Sequence, residues 1–526
     1  MQGNWARTCG LAVLPLYILA TLAIGWVSRR RAGRANDFLN ASRSLPIWIV
    51  AAAFLSANCG ALEIVGLSAV AAQYGAAAFH FYWIGAIPGL VFLSGVIIPV
   101  YMRSGVKSLP EYLQLRFDSR VRLANASLVL ATGTALSGIG LYAMAEVLEV
   151  VFGWPFSGGA LLAAAVVLMY VLLGGLRATI YNEVFQLAVI VAGLLPLVFL
   201  KTSVFHSSGS RAGAHWHLWS HIPTLSPHAP LDRVGVAVGL GFVLSFSYWC
   251  TDFVMIQRTL AARTVESGRM VPLLAGFGKL GFSLLVVSPS LGAIAYLGSR
   301  MPATYDQALP ALMAASFPPI LLGLGMTMLL ASLMTGLAAN VSASAAVWTE
   351  EIYRTMLRKA APERHYIQVG RSVAIIAVVL SIASSYLAFY FRDLMEYVQL
   401  IFSLFGAPFF AVFVLGVFTR RATATGALAG LSAGFLLALA HHALVAAHVL
   451  QYGSLMSANF YVAMAAFTTS LVVGLAASRP ADRKPLAETD ALVFSPAGTL
   501  KNLGALWWML AASLLACCAV LNYMWR

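Results

Sequence analysis

Charge is scarce in this chain: only 10% of its 526 residues are Asp, Glu, Lys or Arg, against 60% hydrophobic, and the mean hydropathy is +0.83. A water-soluble fold cannot hide that much apolar surface, so lipid is the implied solvent. Cysteine is equally sparse. Cys9, Cys59, Cys250, Cys517 and Cys518 fall in or beside apolar runs without metal-type spacing, and they imply buried small hydrophobes and no disulfide framework. No small-residue cleavage site follows the first apolar run, so that run reads as a span and not as a signal peptide. A Gly-rich phosphate loop, a large extramembrane domain and a Ser/His/Asp set on one exposed face are also missing. The chain is therefore not read as an enzyme. A lipid-modifying membrane enzyme would cluster His, Asp and Glu at a membrane edge, whereas here the unusual polar groups sit at mid-span.

What is present is a succession of apolar runs. Length and hydropathy place about fourteen helical spans, near residues 8–28, 45–74, 77–102, 122–152, 157–175, 179–201, 233–257, 270–298, 317–348, 367–390, 394–418, 424–447, 455–477 and 504–524. Alternate connections are basic, among them RRRAGR at 29–34, Arg103 to Arg122, Arg258 to Arg269 and Arg354 to Arg371. The two sides carry roughly 25 and roughly 7 basic residues, a positive-inside asymmetry that puts both termini outside an inner (plasma) membrane. The net charge of +14 then records topology and attraction to anionic lipid, not a nucleic-acid partner.

The longest outer connection, about Thr202 to Asp232, holds five histidines and the run HWHLWSH. Imidazoles ligate metals, but acidic and Cys partners are lacking, and a solvated loop with an aromatic edge is the preferred reading. The segment TEEIYRTMLRKAAPERHY at 349–366 reads as an amphipathic inner connection, and RPADRKPLAETD near 479–490 as an inner linker.

Ionisable side chains at mid-span are costly and so are functional candidates; here they are Glu63, Glu146, Asp252 and Lys279. A buried pair that merely locks two helices is the alternative. In SANCGALEIVG at 56–66, small residues and an asparagine interrupt an oily span. A helix unwound there would free carbonyls in a protein-lined cavity, as in broken-helix transporters; a small-residue packing face is the competing reading. A second such stretch, ASLMTGLAANVSASAAVW at 331–348, carries Ser332, Thr335, Asn340, Ser342 and Ser344, hydroxyls suited to a hard cation. Two such stretches far apart favour an inverted-repeat transporter.

From Phe38 to Arg421 the chain resembles the sodium:solute symporter family, the sodium/glucose cotransporters and their bacterial relatives. The resemblance is carried by FLNASRSLPIWIVAAAFLSAN, MRSGVKSLPEYLQLRF, LGGLRATIYNEVFQ, YWCTDFVMIQR and ASLMTGLAANVSASAAVWTEEIY with VGRSVAI, in that order. It implies an all-α polytopic membrane protein with a five-plus-five inverted-repeat core. The repeats fall at 45–203 and 233–421, joined by an outer loop at 204–232. An extra span and basic loop precede them at 1–44, and extra spans follow at 422–526.

The resemblance further implies a sodium site on the carbonyls of Ser56, Cys59 and Ser332 and the hydroxyl of Thr335. The family commonly has a second hydroxyl where this chain has Gly336, which removes one oxygen that Asn340 or a water would have to replace. The family's sugar site maps onto Asn58, Glu63, Tyr82, Tyr248, Trp249, Asp252, Lys279 and Gln399. Glu63 stands where the sugar carriers have an amide or imidazole, and Tyr82 where they have a glutamate. Glu183, at the signature's aspartate, is expected on the ion's exit path; an interfacial acid paired with Arg177 is the alternative. The expected function is sodium-coupled import of a small polar solute, a sugar first, with Na+ as coupling ion and no obligate protein partner. A proton-coupled or uncoupled carrier and a membrane-embedded sensor are the alternatives. Glu63 and Lys279 are expected to pair in the solute-free state, because each alone carries a desolvation cost.

Overall fold

The computed structural model describes residues 2–29, 45–60, 62–106, 108–152, 155–199, 217–219, 222–298, 301–302, 304–391, 393–485, 489–496 and 503–526. The basic run at 30–34 and His206, His215 and His221 lie outside the described residues.

Among the described residues the chain is helical, with no strand. In order the helices are α1 Gln2–Arg29, α2 Ile47–Asn58, α3 Leu62–Phe79, α4 Phe81–Ser104, α5 Leu109–Arg116, α6 Ser119–Phe152, α7 Phe156–Phe199, α8 Gly235–Thr251 and α9 Phe253–Leu260. After these come α10 Val265–Leu297, α11 Ala308–Ser316, α12 Pro319–Leu357, α13 Glu363–Tyr390, α14 Leu394–Phe418, α15 Ala424–Ala446, α16 Leu455–Ala476 and α17 Ala505–Met524. Eleven are long and apolar enough to cross a membrane, or twelve if α8 and α9 form one broken span. The difference from fourteen has a local cause. Two expected spans, 157–175 and 179–201, are counted together in α7, where two helices join across a kink at Gly175, whose φ of 58° and ψ of −150° are non-helical and suit glycine. Helix α1 is 28 residues long, Gln2–Arg29. Within the segment 349–366, expected as an amphipathic inner connection, α12 runs on to Leu357 with an Arg354–Glu350 pair one turn apart.

The chain divides into two compact units. The first comprises residues 1–79, 133–217 and 280–397, and the second residues 80–132, 218–279 and 398–526. In the first unit α7 packs along α12, and α1 lies against both. Lipid supplies no hydrophobic drive for such contacts, so small residues bring the backbones close. A Cβ on Gly25 would stand 2.8 Å from Tyr170 Cβ, and one on Gly138 2.7 Å from Ser384 Cβ.

In the second unit α15 and α16 form a tight hairpin. Gly426, Gly430 and Gly434, spaced four apart, face Ser470, Gly474 and Ser478, and a Cβ on Gly430 would collide with the Ser470 carbonyl. Arg116 in α5 is buried and donates to the carbonyls of Gly416 (2.9 Å), Thr419 (2.5 Å) and Ala422 (3.3 Å), satisfying acceptors left open at the end of α14. Trp507 of α17 lies over Gly95 and donates through Nε1 to Ser94 Oγ at 2.7 Å.

Candidate functional site

The residues expected to hold sodium all belong to the first unit. Helix α2 stops at Asn58, and Cys59 has non-helical φ and ψ of −81° and 39°. The Cys59 N–H approaches the carbonyls of Leu55 (3.0 Å) and Ser56 (2.9 Å), closing α2, and Leu62–Gly66 resumes as a widened π turn. The break therefore lies within the small-residue run. It packs on α12: a Cβ on Gly60 would be 3.5 Å from both Gly336 Cα and the Ser332 carbonyl oxygen. The missing hydroxyl at Gly336 thus falls where two backbones approach.

Ser56, Cys59, Ser332 and Thr335 are fully buried. Ser56 Oγ has no hydrogen-bond partner, an orphaned oxygen next to the break. Thr335 Oγ1 lies 2.7 Å from Gln186 Oε1 and 2.8 Å from the Ala331 carbonyl, so it donates its one proton there and keeps its lone pairs for another partner. Gln186 donates in turn to Tyr17 Oη at 3.1 Å, and Tyr170 donates to the Met334 carbonyl at 3.4 Å. Gln186 was visible in IYNEVFQ, but its bond to Thr335 was not, and nothing in the first apolar run singled out Tyr17. Among the described residues no three His, Cys, Asp or Glu side chains are grouped to hold a metal ion. Oxygen from hydroxyls, amides and carbonyls is what this region offers, and that suits a monovalent cation more than a transition metal.

Glu183 is fully buried in α7. In the same stretch of α7, Thr179 and Ser342 share a hydroxyl–hydroxyl bond of 2.9 Å, and Asn182 donates to the Thr21 carbonyl at 3.3 Å. Asn58 ends α2, and Glu63 stands in the first turn of α3, only 6% exposed.

The remaining solute candidates, Tyr82, Tyr248, Trp249, Asp252, Lys279 and Gln399, belong to the second unit. Three of them meet. Lys279 Nζ, on a side chain 2% exposed, lies 5.4 Å from the centre of the Tyr82 ring and 5.7 Å from that of Trp249, within cation–π range. Trp249 is held from behind by Gly89, where a Cβ would stand 3.0 Å from Trp249 Cδ1. Tyr248 meets Trp249 edge-on at 5.0 Å and Phe402 at 5.4 Å; no sequence signal marked Phe402. Gln399 is buried three residues before Phe402 in α14.

Asp252 occupies a second break. Its extended backbone (φ −70°, ψ 126°) separates α8 from α9, which differ in direction by 48°. Its Oδ1 accepts the Met255 N–H at 3.0 Å, capping α9. Sequence reading assigned Asp252 to the solute and missed the break; the signal was an aspartate ahead of an apolar run, a helix-start pattern.

A profile of the sodium:solute symporter family matches residues 38–434. The chain is 28% identical over 475 residues to sodium/glucose cotransporter 1 of Ovis aries, covering 81% of this chain and 70% of that protein. It is 27% identical over 460 residues to the sodium/glucose cotransporter of Vibrio parahaemolyticus, covering 82% and 84%. A solved structure of a substrate-bound, outward-open Na+-coupled sialic acid symporter is similar in fold, with a TM-score of 0.76 over 89% of this chain and 97% of that one at 18% identity.

Proposed function

The chain belongs to the sodium:solute symporter family, and from that membership we propose that it imports a small hydroxyl-rich solute, a sugar, together with sodium. One observation carries the choice of solute class: a buried ammonium framed by the Tyr82 and Trp249 rings, with Tyr248 against Trp249. Aromatic faces take the apolar face of a sugar ring, and the lysine donates to its hydroxyls. The sheep and Vibrio relatives are sodium/glucose cotransporters by name, which supports the same class.

In this reading the Ser56 and Cys59 carbonyls, the Ser332 carbonyl and the Thr335 hydroxyl receive sodium, and Asn58, Glu63, Asp252 and Gln399 complete the solute's polar contacts. Sodium then stabilises the interrupted α2–α3 segment that also carries Asn58 and Glu63. By linkage, each ligand raises the other's affinity by the same factor. Glu183, buried among hydroxyls and amides, guides the ion as it leaves. The five-plus-five repeat arrangement, with both termini outside the inner membrane, is part of the proposal. Its support is that each compact unit draws segments from both expected repeats.

Gly336 favours a second reading, a proton-coupled or uncoupled carrier, because it withholds one oxygen where Gly60 and α12 approach. Uptake of labelled sugars into proteoliposomes under a sodium gradient, a proton gradient or neither separates the readings. Accumulation that needs sodium supports the first, and accumulation unchanged by removing sodium overturns it. Sugar binding without any uptake would instead point to a sensor.

A further inference from the structure

Three helices of the first unit meet at one amide. Gln186 of α7, Tyr17 of α1 and Thr335 of α12 are all buried. Thr335 Oγ1 lies 2.7 Å from Gln186 Oε1 and 2.8 Å from the Ala331 carbonyl. At its other end the amide donates through Nε2 to Tyr17 Oη at 3.1 Å. Tyr17 Oη in turn gives its one proton to Met334 Sδ at 3.7 Å, so its oxygen is the acceptor for the amide. That contact turns Nε2 toward Tyr17 and Oε1 toward Thr335.

A hydroxyl carries one proton. Thr335 has two acceptors within reach and can serve only one of them at a time. When the proton points to Gln186 it bridges the two side chains. When it points to Ala331, the bond back to the carbonyl four residues earlier that helical threonines often make, Gln186 Oε1 and Thr335 Oγ1 face each other with lone pairs at 2.7 Å. Two such oxygens repel unless a positive charge is shared between them. The same two atoms therefore have two satisfied states, one with the hydroxyl proton between them and one with a cation against both.

We infer that Gln186 Oε1 is itself a ligand of the sodium ion, beside Thr335 Oγ1, and that sodium binding turns the Thr335 hydroxyl from Gln186 to the Ala331 carbonyl. The inference rests on the reading of Thr335 as a sodium ligand and adds to it an oxygen from α7. An amide oxygen is a hard, neutral donor of the same kind as the carbonyls of Ser56, Cys59 and Ser332 assigned to the ion. It brings that oxygen into the interior without the cost of burying a carboxylate. Tyr17 is then a positioning residue. It touches no ion, and it holds the amide with its oxygen forward.

The test is a sodium titration of the full-length protein in detergent, with choline holding the ionic strength constant. Binding is read by calorimetry and by the sodium-dependent rise in Tm, so neither readout depends on transport. Gln186→Met keeps the length of the side chain, removes its oxygen and should weaken sodium binding about tenfold. Gln186→Glu keeps an oxygen there and should bind sodium at least as tightly as the unmodified chain. If Gln186→Met does not fold, Gln186→Glu carries the comparison, and a loss of about tenfold in it would overturn the inference. Combining Gln186→Met with Thr335→Ala separates a ligand from a brace. A ligand costs about fivefold or more beyond Thr335→Ala alone, whereas a residue that only orients the Thr335 hydroxyl then has nothing to orient. No added loss would therefore overturn the inference and leave the reading of Thr335 standing. Thr335→Ala binding as tightly as the unmodified chain would overturn both. Tyr17→Phe should weaken sodium about threefold in the unmodified chain and not at all beside Gln186→Met. A loss that persists beside Gln186→Met would overturn the positioning role.

Discussion

In the first unit, Thr335, Gln186, Tyr17 and Tyr170 bond to one another and to main-chain carbonyls, so the groups around Thr335 are neutral dipoles. In the second, Lys279 Nζ lies within cation–π range of the Tyr82 and Trp249 rings. Neutral oxygens can be aimed at a small cation without the cost of burying a carboxylate. Aromatic faces over a buried lysine lower the cost of its burial. In the proposed function the first unit recognises the ion and the second the body of the solute, and each assignment can be broken separately.

The largest effect is expected where the second unit's charge is removed. Lys279→Met should lower uptake at least about 100-fold, as should Glu63→Gln, if each is the other's counter-charge. The double variant should recover much of the thermal stability lost by either single change, without recovering uptake. Single variants that melt normally and transport within twofold would end the pairing idea.

Next come changes to the first unit's oxygens. Thr335→Ala should raise the sodium concentration for half-maximal uptake roughly 10- to 30-fold, the size expected for losing one contact to an ion, while Thr335→Ser keeps the hydroxyl and most of the affinity. Gly336→Ser is the informative inverse. A Cβ there would stand 3.9 Å from Gly60 Cα, an ordinary contact, so the added hydroxyl should fit and improve sodium affinity about tenfold. If Gly336→Ala improves it equally, packing and not oxygen count is responsible. An unchanged sodium dependence in both Thr335→Ala and Gly336→Ser would move ion binding out of the first unit.

The smallest effect is expected at Glu183. Glu183→Gln should slow turnover about threefold with equilibrium sodium binding unchanged, the loss of one guiding charge on a path. Abolished sodium binding in a calorimetric titration would make Glu183 a ligand instead.

Hydropathy and the small run SANCG made the first break legible, because glycine and asparagine in the middle of an apolar span have few other uses. The boundary between the spans expected at 157–175 and 179–201 falls at the kink at Gly175, where two helices join. The break at Asp252 was hidden inside YWCTDFVMIQR, where the flanking residues are apolar enough to read as one continuous helix. Tyr82 and Trp249 came from family likeness and Lys279 first from its charge at mid-span, while their meeting around one ammonium depends on three distant helices that no local pattern relates. Gln186 with Tyr17 escaped for the same reason: the two are far apart in sequence, and neither is unusual in its own segment.

The place of Tyr17 has a practical bearing on protein engineering. The first helix is easily treated as a dispensable leader when expression variants are trimmed, yet Tyr17 and Thr21 supply acceptors for Gln186 and Asn182. A truncation that removes α1 would leave two amides facing hydrocarbon and loosen the anchor of the Thr335 hydroxyl. A shortened variant with poor sodium dependence would then report a damaged scaffold and not the coupling chemistry of the intact chain.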